Sequence, residues 1–205
     1  TTVHLIVFLI LVLYSLIQGN TAPRLLDYNE NYPIQFYRSE MVIVPKGSNS
    51  KLEKRSLLGS LIWDINFKAP LKFFEARFNH LFVLDQNGNL TVVDYTTGFE
   101  KWVITDQQLA FIRIHYPHLI GYTQSNYLTS ISFTDGDILW QKKIAPAQDI
   151  AFIGHAGTLG VLYRRKLNIL DLFQGDTTQS IKLPQPAESI ESAWNNGLVI
   201  TAQKS

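Results

Sequence analysis

A glycine recurs in this chain at an almost fixed interval, and that interval restricts the possible folds more than any other feature. Gly59-Ser-Leu-Ile-Trp63 is echoed by Gly98-Phe-Glu-Lys-Trp102 and again by Gly136-Asp-Ile-Leu-Trp140. A fourth copy, Gly175-Asp-Thr-Thr-Gln179, keeps the glycine and loses the tryptophan. The glycines stand 39, 38 and 39 residues apart. Chance produces one G-x-x-x-W pair, but rarely a register kept over four copies. Periods of roughly 20–50 residues mark repeat architectures, in which a unit cannot bury its apolar face alone and must stack on its neighbours.

The sequence between the glycines repeats as well. Upstream of each runs an alternating strand pattern: Leu90-Thr-Val-Val-Asp-Tyr95, Leu128-Thr-Ser-Ile-Ser-Phe133 and Leu167-Asn-Ile-Leu-Asp-Leu172. A more continuously apolar run precedes each: Leu81-Phe-Val-Leu84, Leu119-Ile-Gly-Tyr122 and Leu159-Gly-Val-Leu-Tyr163. Turn residues that tolerate positive φ join the pairs, as in Asp85-Gln-Asn-Gly-Asn89 and Gln124-Ser-Asn126. One strand follows each glycine, as in Glu100–Ile104 and Ile138–Ile144, and another opens each unit, as in Leu109–Ile114 and Ile150–Ile153. Four short strands in about 39 residues is the arithmetic of a β-propeller blade. The chain therefore reads as all-β.

In that reading the repeated glycine supplies the left-handed backbone of a turn between two outer strands. The tryptophan four residues on falls in the layer between blades, where its large apolar area is best used. The propeller segment is expected over 24–205, with units at about 35–66, 67–105, 109–145 and 150–184 and a fifth beginning at 189–205. Propellers close with about four to eight blades, so this count reads as an incomplete propeller of four to five blades. A closed four-bladed ring is the alternative. Pro45–Arg55, PKGSNSKLEKR, reads as the one clear polar loop.

Ahead of the repeats, Leu5–Ile17 is an apolar run of thirteen residues. A membrane-spanning helix needs about 20, so the run suits a signal-peptide core. A signal peptide over residues 1–19 is expected, cut after Gly19 because Pro23 disfavours a cut after Ala22. The basic start of such a segment is missing, and a few residues are expected to precede Thr1. A buried helix or an uncleaved anchor is the alternative. The 205 residues contain no cysteine, which excludes disulfides, thiolate metal sites and cysteine nucleophiles. A formal net charge of +1 argues against an electrostatic nucleic-acid binder.

No nucleophile elbow, P-loop or dinucleotide fingerprint occurs, so no enzymatic activity, cofactor or metal is expected. Among the five histidines, His115 and His118 flank Tyr116-Pro117. On one continuous strand, positions three apart face opposite sides, so the pair reads as a polar turn cluster. Asp94, Asp135, Asp137, Asp171 and Asp176 recur near the same turn of successive units, which suits turn capping. Lys142-Lys143 and Arg164-Arg165-Lys166 read as charged strand edges that discourage edge-to-edge pairing. Asn89-Leu-Thr91 is an N-glycosylation sequon, making Asn89 a candidate acceptor.

The stretch Asp94-Tyr-Thr-Thr97-Gly98-Phe-Glu-Lys-Trp102 resembles the D-x-x-T-G-x-x-x-W repeat of quinoprotein-like propellers. The next unit has Ser132 and Asp135 where that pattern has Asp and Thr, and the one after keeps Asp171 but has Gln174. A closer resemblance is to the largest subunit of the endoplasmic reticulum membrane protein complex. That family has a signal peptide, a G-x-x-x-W unit, a K-F pair and a unit ending in T-G-x-x-x-W. Here these correspond to Gly59–Trp63, Lys72-Phe73, and Thr97-Gly98 with Trp102; Val161–Lys166 and Lys182–Ile190 also look like it. The resemblance covers about Gly59–Ala202. It departs in the longer lead from Pro23 to Leu58 and in the absence of the family's membrane helix.

The resemblance implies a non-enzymatic scaffold in the endoplasmic reticulum lumen, held to the membrane by its complex or by a C-terminal helix. It would support the insertion and folding of membrane proteins. Implied partners are other subunits of the membrane complex and membrane-protein clients or chaperones, with no nucleic acid and no small-molecule substrate. The luminal sensor domain of the unfolded-protein-response kinase shares the Leu81 to Trp102 pattern and is one alternative. A secreted propeller binding protein is another, and a quinone-dependent oxidoreductase a third.

Overall fold

The computed structural model describes residues 27–153, 157–192 and 198–202. The expected signal segment, His4, His155 and Trp194 lie outside the described residues. Every regular element described is a β-strand. The first sheet runs β1 (Gln35–Tyr37), β2 (Glu40–Ile43), β3 (Lys51–Ser56) and β4 (Leu61–Asn66). The second runs β5 (Leu71–Arg77), β6 (His80–Asp85), β7 (Leu90–Asp94) and β8 (Glu100–Ile104). The third is β9 (Leu109–His115), β10 (His118–Thr123), β11 (Tyr127–Ser132) and β12 (Ile138–Lys143). The fourth is β13 (Asp149–Ile153), β14 (Thr158–Tyr163), β15 (Lys166–Asp171) and β16 (Thr177–Lys182). A two-stranded sheet of β17 (Ala187–Ser192) and β18 (Leu198–Ala202) follows.

Each four-stranded sheet is a meander, so sequence neighbours are also sheet neighbours. Its two middle strands are near-continuous apolar runs: β6 is buried from Leu81 to Asp85, β10 from Leu119 to Thr123. Runs of this kind belong to strands covered on both faces. The fourth strand is instead a terminal strand with an exposed pattern, and β16 is exposed along its whole length.

The chain forms two compact units, Thr1–Gln86 with Leu90–Lys101, and Asn87–Asn89 with Trp102–Ser205. In the first, Val42, Leu52 and Trp63 pack with Leu71, Phe74, Val93 and Tyr95. In the second, Ile120 and Leu128 pack with Ile150, Leu159, Val161 and Leu172. Each core thus joins side chains from consecutive sheets, as stacked blades require.

The polar stretch expected as a loop is a strand for half its length. Lys51–Arg55 belongs to β3, with Leu52, Glu53 and Lys54 buried. Charge misled the sequence reading because each of these charges has a partner in the fold. Lys51 pairs with Glu53 and Asp64 at 3.1 and 2.8 Å, and Arg55 pairs with Glu53 at 2.6 Å.

Candidate functional site

The repeated glycines carry φ of 84° at Gly59, 78° at Gly98, 83° at Gly136 and 70° at Gly175. All four lie in the left-handed region, which is easy only for a residue without Cβ. In the last three turns the glycine N–H donates four residues back, to Asp94, Ser132 and Asp171 carbonyls. The Gly59 turn is one residue tighter, its N–H reaching the Ser56 carbonyl at 2.9 Å.

Asp94 Oδ1 accepts from the backbone N–H of Thr96 and of Thr97, both at 2.9 Å, and from the Thr97 hydroxyl at 3.1 Å. The Thr97 backbone bond leads in holding this carboxyl below the usual aspartate range. Asp171 Oδ1 does the same for Phe173 and Gln174 N–H, at 3.0 and 2.8 Å. In the Gly136 turn the acceptor moves to Asp135, which takes the Asp137 N–H at 3.2 Å. Its carboxyl is lowered chiefly by the Ser132 hydroxyl. The aspartates thus spend their oxygens on turn N–H groups.

Glycine and tryptophan of one motif do not act on each other. A Cβ built on Gly98 would lie 3.0 Å from the Trp63 ring, one on Gly136 2.6 Å from Trp102, and one on Gly175 2.9 Å from Trp140. Every such glycine is the notch that admits the tryptophan of the preceding motif. The indole packs against glycine backbone in the space a Cβ would occupy.

The joints differ in their polar contacts. Trp63 Nε1 donates to the Tyr95 carbonyl at 3.1 Å, and Trp140 Nε1 donates to the Leu172 carbonyl at 2.9 Å. Trp102 is 8% exposed, and its Nε1 has no hydrogen-bond partner among the described residues. Around Trp63 a buried network adds to the joint. Lys54 Nζ donates to the same Tyr95 carbonyl at 2.9 Å, pairs with Glu40 at 2.7 Å and sits 4.2 Å from the Tyr95 ring centre. The Tyr95 hydroxyl donates to the Tyr37 carbonyl at 3.1 Å, and burial pushes this phenol strongly upward.

A second clamp had no sequence signal. Arg113 on β9 donates to the Ile150 carbonyl and to Asp149 Oδ1 on β13, each at 2.9 Å. The other Asp149 oxygen accepts the Ile190 N–H of β17 at 3.0 Å. One carboxylate therefore ties three successive sheets of the second unit. Neither residue repeats, so periodicity could not reveal it.

His115 and His118 form the turn cluster that the sequence suggests. His115 and His118 are not on one strand: they end β9 and begin β10, and pair directly across the Tyr116-Pro117 turn. Cross-strand partners share a face, so the turn brings together what a single strand would have separated. His115 stacks on Phe152 with centroids 5.1 Å apart, and His118 meets Phe173 edge-on at 5.1 Å. Burial, with a smaller contribution from His115, lowers the His118 pKa. Among the described residues no group of three His, Cys, Asp or Glu could hold a metal ion. Asn89 is half-buried just before β7, next to the buried Leu90.

Large apolar side chains stand in solvent on the fourth strands: Leu61 and Ile62 on β4, Ile138 and Leu139 on β12. Phe99, Tyr116 and Phe173 project from turns. In the second unit a cleft of about 420 Å³ opens beside β12, with Lys142, Lys143 and Ile144 on one side. Tyr163, Lys166, Asn168, Asp176 and Thr177 line the other.

No protein-family profile and no curated protein sequence matches this chain. Solved structures do. BamB from Moraxella catarrhalis superposes with a TM-score of 0.64 at 14% identity, over 86% of this chain and 59% of that one. The Pan2 WD40 domain of Neurospora crassa gives 0.63 at 12% identity, over 83% of this chain and 58% of that one. The chain thus spans less than two-thirds of the length of either. With the meander sheets, this similarity establishes a β-propeller fold.

Proposed function

We propose that the chain is a protein-interaction scaffold. The observation that carries this reading is the character of the fourth strands. A terminal strand left to water is normally protected by charge or proline. Here β4 and β12, beside their charges, also expose consecutive apolar pairs, Leu61 at 50% and Ile62 at 44%, Ile138 at 40% and Leu139 at 62%. Each pair sits at a β-bulge: Ile62 falls between the partners of Lys54 and Arg55, and Leu139 between those of Ser130 and Ile131, so neither has a cross-strand neighbour to cover it. Exposed apolar groups in numbers mark surfaces meant for a partner. The tryptophans between them are occupied in blade joints.

The finer proposal is the luminal propeller portion of the endoplasmic reticulum membrane protein complex, supported by the order of Gly59–Trp63, Lys72-Phe73 and Thr97–Trp102. In that role the propeller docks other subunits and membrane-protein clients or chaperones, through contacts made by its turns and edges rather than by chemistry. Purification of the tagged full-length protein from detergent-solubilised membranes tests it. Recovery with several multispanning subunits is expected. Recovery only as a free soluble monomer would overturn it.

A further inference from the structure

We infer that the cleft beside β12 is a docking site for an acidic, extended polypeptide segment. The inference rests on the scaffold reading and names the chemistry of one partner. Three lysines, Lys142, Lys143 and Lys166, line the cleft against a single carboxylate, Asp176. Lys142 takes that carboxylate in an ion pair. Lys143 has its ammonium 5.6 Å from the Tyr127 ring centre and no acidic partner among the described residues. Lys166 likewise has none.

The uncompensated charge is reinforced by register. Lys166 on β15 lies directly opposite Lys182 on β16. Like charges directly opposite are destabilising in an antiparallel pair, and nothing acidic among the described residues separates these two. Arg164 and Arg165, exposed in the adjoining β14–β15 turn, add to the same positive field. An arrangement that costs stability in the free protein is relieved when an anion arrives.

The form of the anion follows from the backbone. On one side the cleft is bordered by β12, which is terminal in its sheet; on the other it is bordered by β15 and by the turn into the terminal strand β16. As a terminal strand, β12 has one row of N–H and C=O groups not used by its own sheet. Such a row recruits an extended chain by strand addition, the backbone giving affinity and alternate side chains giving specificity. The lysines that repel a second copy of this edge attract a strand carrying carboxylates. Ile144 and Leu170, which also line the cleft, suit the small apolar residues between them.

The test uses the purified chain and a fluorescein-labelled peptide of alternating Glu and Val, with a Lys-Val peptide as its charge-reversed control. The acidic peptide is expected to bind in fluorescence anisotropy, with affinity falling as salt rises. K143E/K166E should weaken it by about tenfold or more, since opposed charges steer and hold such contacts. K68E, on an exposed site elsewhere, should leave it unchanged, and circular dichroism checks that both variants stay folded. Equal binding of the two peptides, or indifference to K143E/K166E, would overturn the site. So would capture by phosphatidylserine vesicles through these lysines with no binding of the acidic peptide. If the peptide fails while the membrane co-purification succeeds, the scaffold reading stands and only this site falls.

Discussion

The Trp63 and Trp102 joints are built from the same motif and resolve it differently. At Trp63 the indole N–H reaches a carbonyl that also holds a buried ammonium, and the notch at Gly98 leaves 3.0 Å for a Cβ. At Trp102 the notch is tighter, 2.6 Å at Gly136, and the N–H is buried without a partner. The spacing from tryptophan to its receiving glycine is 35 residues in the first case, 34 in the second and 35 again from Trp140 to Gly175. The shortened interval is the one whose indole lacks its carbonyl. Apolar shape is therefore conserved at every joint, while the polar contact depends on the register of the intervening turns.

The comparison breaks most visibly by deletion. Trp63→Ala should cost about 3–5 kcal/mol, the usual range for removing a packed large aromatic, read as a lower denaturant midpoint. Next come the notches. Gly136→Ala should cost about 2–4 kcal/mol, from overpacking on the Trp102 ring plus a left-handed backbone. Gly98→Ala should cost less than Gly136→Ala. Gly47, with φ 79° and open space around it, isolates the backbone part, so Gly47→Ala should lose only about 1–2 kcal/mol. Equal losses at Gly47 and Gly136 would refute the notch.

The polar difference is sharpened by phenylalanine. Trp63→Phe leaves the Tyr95 carbonyl with one donor fewer and should cost more than Trp102→Phe, which removes an unpaired N–H whose burial is itself unfavourable by about 1–3 kcal/mol. Chemical denaturation of both variants reads the difference directly, and a larger loss at Trp102 would reverse the assignment.

The smallest effect is a pH dependence in the second unit. The folded protein favours neutral His118, because burial lowers its pKa below the ordinary 6.5. The unfolded chain then binds the proton more readily, so stability is full above pH 6.5 and declines as pH falls through that value towards the folded pKa. His118→Asn should flatten the dependence of the thermal midpoint over this window.

How much of this was legible follows from which contacts repeat. The strands, the left-handed glycines and the buried tryptophans recur, so spacing exposed them. That Gly98 receives Trp63 could not be read, because the contact joins two motifs and each motif looks self-contained. β3 was misread because a lysine in a strand counts as polar until Glu40 and the Tyr95 carbonyl are known to meet it. The Arg113–Asp149–Ile190 clamp occurs once, and a pattern needs two instances. His115 and His118 were legible as a turn cluster from the Tyr116-Pro117 between them, but their direct pairing on one face follows only from the strand ends.

The pairing of each tryptophan with the next motif's glycine also sets a timetable for synthesis. Trp63 has no bed to lie on until Gly98 has been made, and Trp140 waits in the same way for Gly175. At about 5–20 residues per second the delay is roughly 2–7 s. Each wait begins only a few residues after the previous one ends. The growing chain therefore shows its surroundings one bare indole at a time, and covers it as the next unit arrives.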